Sequence, residues 1–371
     1  MAPEHWRFQM QTQRTLGRSG VLVAHGYGLK LYVECGHLIV HHGIGRDRDT
    51  HRISRATGGL KRLIVIGHTG FVTLEALRWL NDTGAAFAQI GRDGELITLS
   101  APARHHEAKL RRAQVLAADN DAGRIATVGL LRAKLEAQAV LMERLAHLRP
   151  LVRIKEAKPI AVADAIRGWA AELTPELTFT RMRAIESSAG RLYWQTWARV
   201  TPRFDRTWAS TVPEHWHSAG PRTSNIDRKR ARKASTPVHA ILNYVYAILE
   251  IEASIAAHAV GFDPSLGIMH TDQRYRGSLA TDLMEPARPL ADELVLNLLE
   301  NQQLSRRDIH ETREGVCRVA PELARRLAQL APDLRVAVAP HAEALSAVLL
   351  RDSRAATPLT GRNHRVAVGA M

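Results

Sequence analysis

After Pro102 the chain stops alternating between apolar and polar residues and begins to repeat every three to four positions. Over residues 107 to 149 Pro and Gly are scarce, and Ile125, Val128, Leu131, Leu135, Gln138, Met142 and Leu145 advance by three or four. That spacing predicts one stripe of a long helix, which Pro150 is expected to end. The same texture predicts helices over 161–174, 181–199, 236–260, 278–301 and 319–350. Upstream the pattern differs. "SGVLVAHGYGLKLYVECGHLIV" alternates loosely between glycines and predicts two or three short strands joined by tight turns. "RLIVIG" is a continuous apolar run, expected as a buried strand, and Phe71, Leu74, Leu77 and Leu80 follow it at helical spacing with Gly84 as the stop. "AAFAQIGRDGELITL" reads as strand, Asp93-Gly94 turn, strand. The expectation is an α+β fold: a small N-terminal β-rich domain (1–103), a larger all-helical domain (104–350) and a flexible basic tail (351–371).

Charge bears next on what such a fold would bind. Lys and Arg total 51 against 37 Asp and Glu, a formal charge of +14. Such an excess favours a polyanionic partner, because cations that neutralise phosphates release condensed counterions. Nucleic acid is preferred here over an anionic membrane surface or a merely solubilising one. The two cysteines, Cys35 and Cys317, fit a reducing compartment and exclude a cysteine-rich zinc site. "MAPEHWRFQM" lacks the apolar core of a signal peptide, and no apolar run is read as approaching membrane-spanning length. A cytoplasmic protein without a membrane partner is expected.

Residues 200 to 235 interrupt the helical texture with Pro, Gly, Ser, Trp and His, and carry eight Lys or Arg against three Asp or Glu. The run Arg228, Lys229, Arg230, Arg232, Lys233 is the densest positive stretch. It reads as an arm for phosphates, with Trp208 and Trp216 available to stack on bases; the plainer reading is a solvated loop.

The residues that carry chemistry lie in "GIMHTDQRYRGSLATDLMEPARP" and "ESSAGRLYW". Asp282 and Glu285 are three apart on a helix that Ser278 can cap, so they share a face. Pro286 should kink that helix or begin a new segment just after Glu285. Two carboxylates on one face repel unless something positive stands between them: a metal ion, or Arg274, Arg276 or Arg288. His270 precedes Asp282 by twelve residues, a length that lets a loop return the imidazole to the start of that helix. Glu186 is followed by Ser187, Ser188, Ala189 and Gly190, small residues that leave room for a close neighbour. One imidazole and two or three carboxylates suit Mg²⁺ or Mn²⁺ better than a thiolate-seeking metal. Each group alone also fits an ordinary surface or core role.

In order, "ESSAGRLYW", "TPVHAILNYVYAILEIEASIAAHAVGFDPSLGIMH" and "GSLATDLMEPARP" resemble the CRISPR-associated integrase and endonuclease of spacer acquisition, the first-numbered Cas protein family. The resemblance runs through nearly the whole chain. It implies that the β-rich domain builds a homodimer and that the helical domain is catalytic and holds one divalent cation. By motif match the metal ligands are Glu186, His270 and Glu285, with Asp282 the supporting acid; Asn243 and Tyr244 lie near the site. The implied reaction is transesterification, in which a DNA 3′-hydroxyl enters a repeat array, with double-stranded DNA and a second small Cas protein as partners. Arg274, Arg276 and the 228–233 run are the candidate DNA contacts. Ala287 stands where an aromatic is common in the family, and Ser187 and Ser188 where Gly and Ala are frequent. A member acting outside CRISPR, as transposon integrase or branched-DNA repair nuclease, would carry the same ligands. A non-catalytic DNA-binding scaffold is the alternative of another class.

Overall fold

The computed structural model describes residues 20–43, 48–67, 69–91, 95–101, 108–148, 158–221, 233–270 and 277–352. Its first part is two four-stranded sheets. One contains β1 (Val21–His25), β5 (Arg62–Ile66), β7 (Ala86–Ile90) and β8 (Leu96–Ser100), in that order. The first three run parallel and β8 is antiparallel to β7. The other sheet has the order β4 (Asp49–Ile53), β3 (His37–His42), β2 (Leu29–Glu34), β6 (Gly70–Val72). Helix α1 (Leu74–Thr83) is stopped by Gly84 in the left-handed region at φ 69°, as its sequence predicts, and is capped by Thr73.

The unbroken apolar run at β5 has a geometric cause, because successive strand residues face opposite sides. Leu22, Leu63, Val65 and Phe87 pack between the sheets with Trp79 and Leu80 of α1. Val21, Val23, Ile64, Ile66 and Ile90 point the other way and join the core of the helices. The β-rich part is therefore sealed onto the helices by a shared apolar layer. Arg62 of β5 adds a buried bidentate contact to Glu252, which lies on the helix Pro237–Val260.

The helical part comprises α2 (Ala108–Ala117), α3 (Asp121–His147), α4 (Pro159–Glu172), α5 (Phe179–Trp197), the short α6 (Arg206–Ala209), α7 (Pro237–Val260), α8 (Ser278–Met284), α9 (Arg288–Asn301), α10 (Pro321–Ala328) and α11 (Ala331–Asp352). Several expectations need correction. The run from 107 breaks before Asn120, whose side chain caps α3. Ile125, placed on the apolar stripe, is 48% exposed. The region is not all helix: Ile309–Glu311 and Cys317–Val319 form an antiparallel hairpin, turned by Gly315 at φ 75°. Phe71 belongs to β6, and Phe71, Leu74 and Leu77 are exposed rather than packed. Trp208 and Trp216 are buried edge-to-face, centroids 5.8 Å apart, so neither is available to stack on a base. α7 is 24 residues long and apolar enough to cross a membrane, contrary to the expectation that no run reaches that length, and 83% of its most apolar stretch is buried inside the fold. Such a helix is apolar on all sides because neighbours surround it.

A histidine stack marks the second sheet. His42 Nε2 lies 3.0 Å from His51 Nε2, their rings are parallel at 5.1 Å, and His25 lies 5.4 Å from His42 between centroids. Burial, then the neighbouring His51 and His25, lowers the His42 pKa to about 4. An unfolded histidine titrates near 6.5, so this contribution is complete above that pH and is lost as pH falls toward 4. The loss amounts to about 3 kcal/mol. Urea midpoints at pH 7.5 and 4.5 should therefore differ less for His42→Leu than for the parent. An equally steep fall in the variant would exclude His42 as the source.

Candidate metal centre

Asp282 organises the first half of the site. It lies on α8, fully buried, and accepts backbone N–H groups from Ile268 (2.7 Å), Met269 (3.0 Å) and His270 (3.1 Å). The same carboxylate meets His270 Nδ1 at 2.5 Å. An ionised carboxylate only accepts, so the Nδ1–H donates to it, and in the neutral ring that leaves Nε2 with its lone pair. This is the second-sphere arrangement that orients a metal-binding histidine. The turn before it is tight. A Cβ on Gly267 would fall 2.3 Å from the His270 carbonyl oxygen, so only glycine fits there. Arg183 Nη1 on α5 donates to Met269 O at 3.3 Å and fastens the turn to the helix that carries Glu186.

Glu285 begins a 3₁₀ turn, Glu285–Ala287, between α8 and α9, where Pro286 removes a ladder donor. The shared face of Asp282 and Glu285 turns inward, since Glu285 too is buried. Its Oε2 lies 2.6 Å from Lys134 Nζ, and its Oε1 lies 3.3 Å from Arg288 Nε. Lys134, a buried residue of α3, also contacts Glu186 Oε1. Two carboxylates from separate helices thus converge on one ammonium. Burial by itself would raise the Glu285 pKa, but Arg288 and Lys134 outweigh it and hold the carboxyl at about 2. Burial likewise opposes the charge on Lys134, and Glu285 and Glu186 more than restore it, so its pKa is raised. His270 is close enough to contribute to the field at Glu285.

Arg288 stands over the Tyr246 ring, 5.2 Å from its centroid. Tyr246 and Tyr193 each donate to Asp292 at 2.5 Å, one on each oxygen. Burial, with Asp292 beside it, pushes the Tyr193 phenol well above its ordinary range. Tyr246, rather than Tyr244, is therefore the tyrosine of α7 that reaches this network. Tyr244 lines a cavity of about 230 Å³ with Gly26, Gly67 and Ala324, and its buried hydroxyl has no hydrogen-bond partner among the described residues.

The structure therefore joins His270 to Asp282 and Glu186 to Glu285 through Lys134, while no three His, Cys, Asp or Glu side chains stand at metal-ligand spacing among the described residues. The donor set nonetheless fits a hard dication: two carboxylates already face one positive atom, and an oriented imidazole lies beside them. Sequence reasoning missed Lys134 and Arg288's place against Tyr246. Lys134 had left a signal, for it interrupts the apolar stripe between Leu131 and Gln138 at a position that must face inward. Of the candidate DNA contacts, Arg228, Lys229, Arg230, Arg232, Arg274 and Arg276 lie outside the described residues; Lys233 is half-buried just ahead of α7.

With this geometry in place, the similarity to known proteins gains meaning. The family profile described as "CRISPR associated protein Cas1" matches residues 22–331. A CRISPR-associated endonuclease Cas1 from Archaeoglobus fulgidus is 29% identical over 315 residues, covering 82% of this chain and 85% of that protein. A Cas1 endonuclease from Thermus thermophilus is 32% identical over 226 residues, 61% of this chain and 59% of the other. Among solved structures, a casposase bound to integration product superposes with a TM-score of 0.71 at 20% identity, covering 88% of this chain and 90% of that one. A Cas1 protein from Thermotoga maritima gives 0.63 at 14% identity, covering 90% and 96%. The chain belongs to the Cas1 family of CRISPR-associated proteins.

Proposed function

We propose that this protein is a divalent-metal-dependent DNA integrase and endonuclease that inserts new spacer DNA into a CRISPR array. The observation that carries the reading is the convergence of Glu186 and Glu285 on one cation beside a His270 oriented by Asp282. Glu186, His270 through Nε2, and Glu285 would hold Mg²⁺ or Mn²⁺. When bound, such an ion polarises a phosphodiester oxygen and stabilises the charge that develops as a DNA 3′-hydroxyl attacks, or as water attacks in nicking. The rest of the task falls to the chain. Asp282 keeps the imidazole in one tautomer and orientation. Arg288 balances the charge of Glu285, and the tyrosines on Asp292 fix the wall behind it. Arg274, Arg276, Arg228, Lys229, Arg230, Arg232 and Lys233 are proposed to grip phosphates and place donor and target strands, which supplies much of the rate.

Double-stranded DNA is the proposed partner, together with the second small Cas protein and a second copy of this chain, all acting in the cytoplasm. A structure titled as a complex of a Cas6–reverse transcriptase–Cas1 protein with Cas2 has the same fold over 93% of this chain, with a TM-score of 0.66. The edge strand β6 with Phe71 and Val72 exposed, followed by Leu74 and Leu77 exposed on α1, offers an apolar face for the homodimer.

The test is incubation of labelled 3′-hydroxyl duplex and a repeat-bearing plasmid with the protein, in Mn²⁺, Mg²⁺ or chelator. Half-joined products at the repeat, present only with an ion, are expected. Joining at unrelated sequences would favour a transposon-type or repair role, and neither joining nor nicking with either ion would leave only a DNA-binding scaffold. Binding of the same duplex should lose salt dependence when residues 228–233 are neutralised; an unchanged slope would remove that run from the interface.

A further inference from the structure

We propose that Lys134 is an internal occupant of the cation position: without a divalent ion its ammonium holds Glu186 and Glu285 together, and an ion binds only by displacing it. This role, which rests on the metal-centre reading above, follows from three features. Nζ lies in contact with Glu186 Oε1 and 2.6 Å from Glu285 Oε2, on side chains that come from three separate elements. A dication that Glu186 and Glu285 would hold and an ammonium cannot share that position, since both are positive and both would need the same carboxylates. Arg288 does not stand there, because it approaches Glu285 through the other oxygen, Oε1, and is seated on the Tyr246 ring.

The choice of lysine fits the task. Its charge sits on a flexible four-carbon stem, whereas a guanidinium is planar and keeps its partners in fixed register. Leu131 and Leu135 on the same helix are buried, so the charge at position 134 is retained inside an apolar stripe at a desolvation cost. What it provides is a preformed pair of carboxylates that would otherwise repel in the ion-free protein. What it takes away is ion affinity. Lys134 is accordingly a positioning residue that sets how much free metal the site requires.

The experiment is Mn²⁺ binding to the full chain, followed by the electron paramagnetic resonance signal of the free ion, with Lys134→Met beside the parent. Methionine keeps a comparable apolar stem and removes the charge. Mn²⁺ should bind at least about tenfold more tightly to the variant, since a competing charge is gone. The ion-free variant should melt below the parent, with the gap closing at saturating Mn²⁺. Equal or weaker Mn²⁺ affinity in Lys134→Met overturns the proposal alone. Binding by neither protein overturns it together with the metal-centre reading. Should Lys134→Met fail to fold, Lys134→Arg serves: a cation held more rigidly should weaken Mn²⁺ binding, and unchanged or tighter binding refutes the displacement.

Discussion

Replacing His270 with alanine is expected to abolish ion-dependent strand transfer and nicking while leaving DNA binding near that of the parent. The substitution removes a proposed ligand, whereas the basic groups proposed to grip DNA lie elsewhere in the chain. Asp282→Asn should be milder. It removes the charge that accepts from His270 Nδ1 and from three backbone N–H groups, and loss of such a supporting group costs about 10–100-fold in affinity or activity. The ordering is the informative part. If Asp282 itself were a ligand and His270 only packed against it, His270→Ala would be the gentler change. Rates of half-site joining, paired with fluorescence anisotropy on the same duplex, separate chemistry from binding. Full integration by His270→Ala would remove the metal assignment.

Breaking the ion pair between the β-rich part and α7 should have the largest effect on stability. Arg62 and Glu252 are both buried, and their contact is bidentate. Burial pushes the Glu252 carboxyl above its ordinary range, with Arg62 pulling it back only in part. Desolvation therefore outweighs the attraction, which is the usual balance for a buried pair. Two consequences follow. Glu252→Met strands a buried guanidinium and should cost about 3–5 kcal/mol. The double replacement Arg62→Met with Glu252→Met removes both charges and should recover most of that loss. A double-mutant cycle from urea denaturation reads the coupling. If the double variant is as unstable as the sum of the singles, the pair contributes little and the shared apolar layer alone joins the two parts.

Much of this was legible in the chain because local rules wrote it. The strands followed from period-two and continuous apolar runs, and α1 from its helical spacing and the Gly84 stop. Most helices followed from three-to-four spacing, and Pro286 did mark the end of α8. The misses have physical causes. A breaker is easier to read when it is Pro or Gly than when it is a cap such as Asn120, so the helix starting at 121 was merged with its predecessor. The hairpin at Ile309–Glu311 is too short for periodicity to separate from helix. Trp208 and Trp216 looked like free stacking platforms because a Pro- and Gly-rich composition says nothing about what a fold closes over them.

The amino-acid order by itself determined which groups could take part: an imidazole, three acids and a positively charged chain that favours phosphate partners. It also determined that Asp282 and Glu285 lie on one side of a helix, since side-chain direction there repeats with the turn. Only the folded molecule decided what those groups do to one another. The bond from Asp282 to His270, the meeting of Glu186 with Glu285, and the lysine between them join segments as far apart as Lys134 and Glu285. Contacts of that range depend on how whole helices pack, and helix packing is set by the combined shape of many side chains rather than by any local pattern.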